Sequence, residues 1–189
     1  MAIVERQLKH ALKEWAIAVE ALGKGETIVL LRKGGIRERE FQVQYPQVWL
    51  YPTYEHQKPE LLKPEYAMVT TVESDWHPDK VTIKSCATIT DVLTIGSPEQ
   101  VAALQPYHVW NERMVDERLK WKPQKPLLVL LLRVYRLHEP QTIPYLSSYG
   151  GCRSWIELEP EILSDSLVPA MNEVEYAAQT QTIKARISG

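Results

Sequence analysis

Apolar residues recur at Leu8, Ala11, Leu12, Trp15, Val19 and Leu22, in steps of three and four, and predict an amphipathic helix over 5–22. Gly23 and Gly25 supply its stop. Residues 26–33 abandon that spacing for a continuous apolar run with β-branched members, the pattern of a strand buried on both faces. A second strand is predicted over 48–53. Pro46 and Pro52 bracket it, which places it at a sheet edge or ends it at Pro52. Residues 66–72 and 81–95 read as further strands, with a turn at Trp76, His77, Pro78 and Asp79 between them. In the longer one, Val81, Ile83, Ser85, Ala87 and Ile89 alternate onto one face.

Ser97, Pro98 and Gln100 form a capping box with proline at the first helical position, so a helix starts at Pro98. Pro106 breaks it. A second helical segment follows over 107–121, ended by Pro123 and Pro126. Residues 127–137 carry the strongest strand signal in the chain. A loop over 139–151 holds Pro140, Pro144, Gly150 and Gly151, and 155–158 reads as a last short strand. Helices and strands do not alternate strictly, which disfavours a doubly wound sheet. The fold class predicted is α+β: an N-terminal helix, a small mixed or antiparallel curled sheet of barrel-like character, and a central helical segment. Residues 1–168 are expected to form one α+β domain, with 169–189 a polar tail or surface helix.

Composition narrows the function classes. The chain has 189 residues, 44% apolar and 24% charged, enough to build a substantial core. Its formal net charge is −2, so any grip on a polyanion must come from a local patch. Two cysteines, Cys86 and Cys152, make no disulfide framework and fit a reducing compartment. The first residues lack an apolar signal core, and no run approaches the roughly 20 apolar residues of a membrane helix. A cytoplasmic protein with no membrane partner is expected.

Candidate chemistry clusters at two glycine pairs. Arg32, Lys33, Gly34 and Gly35 combine cations with backbone N–H groups free to converge on an anion. A strand ending in solvated charges and a two-glycine hairpin turn is the plainer reading. Arg37 and Arg39 share a face if extended and would grip neighbouring phosphates, although charged edge protection explains them too. Trp49 and Tyr51 lie on one face of the second predicted strand, with Tyr54 and His56 beyond it. Such rings stack on bases or pack in a core. Glu112 and Asp116 are helix-surface charges that oxygen-ligand chemistry would also allow to hold a divalent cation. Nothing in the spacing of the five histidines indicates a metal site, and no cofactor signature is present. Around the second glycine pair, Arg153 stands next to Cys152 and would favour its thiolate, with His56 or His108 as a base. The plainer expectation for Cys152 is a small buried residue.

The segments WAIAVEALGKGETIVLLRKGGI, WLYPTYEHQKPELL, LLLRVYRL and GGCRSW together resemble the bacterial family named domain of unknown function 1802, frequent in cyanobacteria. The resemblance covers about residues 8–160. It implies an association with restriction-endonuclease-like domains in some relatives, and hence with DNA restriction or defence, but no catalytic residue to carry over. The first functional expectation is a nucleic-acid or other polyanion recognition module. Arg32, Lys33, Gly34, Gly35, Arg37, Arg39, Arg133 and Arg153 would hold the anion, with Tyr51, Tyr54 and Trp155 as stacking rings. The alternatives are an enzyme acting on a small phosphorylated or nucleotide ligand, and a protein-interaction domain without chemistry.

Overall fold

The computed structural model describes residues 8–33, 41–121, 123–163 and 166–188. Among them, strands β1 (His10–Trp15), β2 (Val29–Arg32), β3 (Gln47–Thr53), β4 (Lys80–Ile95), β5 (Leu127–Pro144), β6 (Trp155–Glu157) and β7 (Leu167–Pro169) form one mixed sheet. Its order is β2-β5-β4-β3-β1-β6, with β7 beside β5. The helices are α1 (Ala16–Lys24), α2 (Pro98–Leu104), α3 (Glu112–Lys120) and α4 (Glu173–Ser188). The fold is α+β: an N-terminal helix, a curled sheet forming a half-barrel and a central helical segment.

The helical spacing over 5–22 splits in two. Residues 10–15 are a strand, and only Ala16–Lys24 are helical. β1 is inserted between β3, to which it runs parallel, and antiparallel β6. Ala11 and Leu12 are fully buried in different core clusters on opposite faces. A strand buried on both faces shows no alternation, so its apolar residues imitated a helix face.

β3 is interior rather than an edge strand. Pro52, lacking an N–H, is tolerated because the ladder to β4 covers only Gln47, Val48 and Trp49. Residues 66–72 make no strand. A 3-10 turn at Pro64–Tyr66 leads into irregular chain, and both edges of β4 are already occupied by β3 and β5. Within β4, register shifts between Ile83 and Ser85 and between Ile89 and Asp91 break the expected single face. Val81, Ile83 and Cys86 therefore enter one core cluster, and Ala87 and Ile89 the other. β5 continues to Pro144, pairing with Lys80–Ile83 where a loop was expected.

The capping box forms as read: Ser97 Oγ accepts from the Gln100 amide at 3.2 Å, and Gln100 Oε1 accepts from the Ser97 amide at 3.3 Å. α3 starts later than its pattern, because Asn111 Oδ1 caps it by accepting from the Met114 amide. α4 buries Tyr176, Ile183 and Ile187 in the larger core cluster. Among the described residues no helix is long and apolar enough to cross a membrane.

Candidate functional site

The parallel strands β1 and β3 end side by side, Trp15 opposite Thr53. The segment from Tyr149 to Ser154 folds across their carboxyl ends. The Lys13 amide donates to the Ser154 carbonyl at 2.9 Å, and Lys13 Nζ donates to the carbonyls of Tyr149 at 2.6 Å and Gly151 at 2.8 Å. Gly151 has φ 74, a left-handed conformation that favours glycine. These contacts open a cleft of about 210 Å³ in which, among the described residues, Lys13, Arg32, Lys33, Arg118 and Arg153 face two carboxylates, Glu14 and Glu55.

The cations are held differently. Arg32 Nη2 pairs with Glu14 Oε2 at 3.0 Å, donates to the Lys13 carbonyl, and its guanidinium lies over the Phe41 ring at 5.6 Å. Lys33 is buried and donates to the Leu119 carbonyl at 2.8 Å. Burial first, then the Arg118 charge, lowers the Lys33 pKa from its ordinary value. Burial likewise lowers Lys13, opposed by Glu55 and Cys152, and lowers Arg118, opposed by Glu14. Carbonyl partners orient an ammonium without cancelling its charge. The cleft is thus a local positive site in a chain whose formal charge is −2.

A second cleft, of about 180 Å³, shares Lys13, Thr53, Glu55 and Gly151 with the first. Its walls are rings. Tyr51 meets Tyr149 edge-on at 5.7 Å, and Tyr145 stacks on His77 at 3.6 Å. Tyr54 meets Trp76 edge-on at 6.1 Å. Two non-glycine residues have positive φ: Asp75 at 64, which lines this cleft, and His56 at 67, which lines the cationic one. They are tied through Glu55, whose Oε1 accepts from the Asp75 amide at 2.9 Å and lies 3.3 Å from His56 Nε2.

Beyond the Tyr54–Trp76 pair lies a wider groove of about 630 Å³ along α1 and β4. Lys80 and Lys84, four residues apart on β4, project on its side with Arg136 of β5. Among the described residues none of these three cations is paired with a carboxylate.

A family model described as a domain of unknown function (DUF1802) matches residues 11–182. The chain belongs to this family. No curated protein matches it in sequence. Among solved structures, the ASCH protein from Zymomonas mobilis aligns at 13% identity and TM-score 0.46, covering 96% of each chain. A mutant of that protein aligns at 13% identity and TM-score 0.43, over 95% of this chain and 98% of the other.

In this DUF1802 chain the sequence-predicted site residues divide. Arg32, Lys33 and Arg153 meet in the cationic cleft, and Tyr51 and Tyr54 line the ring-walled one. Gly34, Gly35, Arg37 and Arg39 lie outside the described residues. Arg133 sits elsewhere, on the face of β5 that receives α4. Its guanidinium donates to the Met171 carbonyl, pairs with Glu173 at 3.1 Å and lies 4.9 Å over the Tyr176 ring. Trp155 is half-buried, donates to the Gln42 carbonyl at 3.1 Å and stacks on Phe41 at 5.3 Å. It lines a separate groove that includes Arg153. Cys152 is exposed at the cationic cleft rather than buried, and His56, not the buried His108, shares that cleft with it. Sequence reading missed Lys13, Glu55, Trp76 and Arg118. Lys13 and Arg118 were hidden inside segments read as ordinary helix surface, where a charge signals only solvation.

Proposed function

We propose that this chain recognises single-stranded nucleic acid, with phosphates in the cationic cleft and a base in the ring-walled cleft. The observation that carries this reading is that the two clefts share Lys13, Thr53, Glu55 and Gly151. A phosphate and the base of the same nucleotide need such a shared border. The exposed Trp76 and the half-buried Tyr54 suit unstacked bases, whose π-faces a duplex hides. The unpaired Lys80, Lys84 and Arg136 offer the strand a continuation past Trp76. In a restriction setting, which the family association suggests, such a module would supply recognition and a separate domain the cleavage.

The test is fluorescence anisotropy with labelled single-stranded DNA, single-stranded RNA and duplex, between 50 and 200 mM salt. For three to four phosphate contacts to a single strand, affinity should fall roughly 20- to 50-fold over that range. Arg153→Ala should reduce the salt slope by about one contact. Affinity that is flat in salt, or tighter for duplex than for single strands, would end the reading.

A second reading, an enzyme acting on a small phosphorylated ligand, draws on Cys152, His56 and three arginines lining one cleft. That cleft, about 210 Å³, is smaller than the roughly 300–1,000 Å³ that usually encloses a small ligand. The size favours a strand lying across an open site. Nucleotide turnover by the wild type that disappears in Cys152→Ser would reverse the order of the two readings.

A further inference from the structure

Three clefts stand in a row. The ring-walled cleft is the middle one. It borders the cationic cleft through Lys13, Thr53, Glu55 and Gly151, and the groove along α1 and β4 through Pro52, Tyr54, Trp76 and Pro78. Among the described residues the two outer members share none. On its far side the cationic cleft meets a groove of about 700 Å³ at Arg153, where Glu157, Glu159 and Glu161 stand against Lys9. Those carboxylates repel a phosphate backbone. A strand laid along the row therefore has a way onward past Trp76 and is turned back beyond Arg153. From this we infer that the cationic cleft takes the end of a strand, as a terminal phosphomonoester, rather than a phosphate from the strand's interior. The inference rests on the nucleic-acid reading above and names the substrate class of that site.

Charge supports it. An internal phosphodiester carries one negative charge, whereas a phosphomonoester carries about 1.5 to 2 at pH 7. Glu14 is matched by Arg32 at 3.0 Å, which leaves Lys13, Lys33, Arg118 and Arg153 facing Glu55 among the described residues. Lys33 is buried and acts through its field. The contacts fall to the reachable cations. Arg153 is exposed, and Lys13 meets the Gly151 carbonyl at the surface. The Lys13 ammonium has three N–H groups. Two donate to the Tyr149 and Gly151 carbonyls, and the third is left for a phosphate oxygen.

Size agrees. A water occupies about 30 Å³ of the liquid. A cleft of about 210 Å³ accommodates one phosphate group with part of its hydration, and not a run of nucleotides.

The test is anisotropy at fixed salt with internally labelled single strands of about eight nucleotides. They carry a 5′-phosphate, a 3′-phosphate or hydroxyls at both ends. A hydroxyl-ended strand two nucleotides longer controls for the added charge. Wild type should bind one phosphorylated form, 5′ or 3′, about tenfold more tightly than either hydroxyl-ended strand. Arg153→Ala should lose most of that preference. Lys84→Ala, in the groove past Trp76, should weaken all strands alike and keep the preference. Equal gains from both phosphates, a longer hydroxyl-ended strand that binds as well, or a preference that survives Arg153→Ala would overturn end recognition and leave the nucleic-acid reading standing. Failure to bind any strand would overturn both.

Discussion

Arg32 and Arg153 face one cleft, but only one of them is a clean probe of binding. Arg32 is committed to Glu14, itself 8% exposed, and removing either partner would strand a buried charge. Arg153 is exposed, so its loss should change binding with little effect on stability. His108 shows the opposite use of a titratable group. It is 3% exposed, and burial followed by the Lys63 charge pushes its pKa down to about 4. The folded chain keeps this ring neutral, while the unfolded chain protonates it below about 6.5. Its contribution is therefore intact above pH 6.5 and disappears as pH falls to about 4, by up to about 3 kcal/mol. Urea unfolding of His108→Gln at pH 7, 5.5 and 4.5 should show a shallower acid limb than wild type. Parallel limbs would remove this assignment.

Elements here are shaped by a few sharp local constraints and by the neighbours available to each. Gly25 ends α1 at φ 75, donating its amide toward the last carbonyls of the helix. A Cβ there would stand 2.4 Å from the Ala170 carbonyl oxygen, which belongs to the chain between β7 and α4. Gly25→Ala combines a left-handed penalty with a backbone collision and should cost about 2–4 kcal/mol, read from its urea midpoint. A loss under 1 kcal/mol would mean that the two segments can part cheaply. The Ser97 box, the Gly25 stop and the 127–137 strand were legible because each depends on residues within a few positions. The split of 5–22 into β1 and α1 was not legible. Only β3 and β6, supplied from distant sequence, give residues 10–15 their ladders. The bulges of β4 were hidden for a related reason, since they answer to the register of β5.

At the scale of the whole molecule, Arg133 separates architecture from recognition. It pins the start of α4 to the sheet through Met171, Glu173 and the Tyr176 ring. Glu173 is exposed, so the ion pair adds little, and the carbonyl hydrogen bond and ring packing carry the effect. Arg133→Ala should lower stability by about 2 kcal/mol and leave oligonucleotide affinity unchanged. Arg153→Ala should do the reverse. Equal losses of affinity in both variants would contradict the placement of the site at the ends of β1 and β3.

Local order determined much by itself: the α+β class, the helix at Pro98, the apolar core of β5, and the candidacy of Arg32, Lys33, Tyr51, Tyr54 and Arg153. These follow from periodicity, turn chemistry and the charge or ring that each residue carries. Which of them meet was decided by folding alone. Lys13 reaches Gly151 across 138 positions of sequence, and Arg133, equally basic, is turned to α4. A side chain's type is written in the chain, whereas its neighbours depend on strand order and register, which long-range pairing sets.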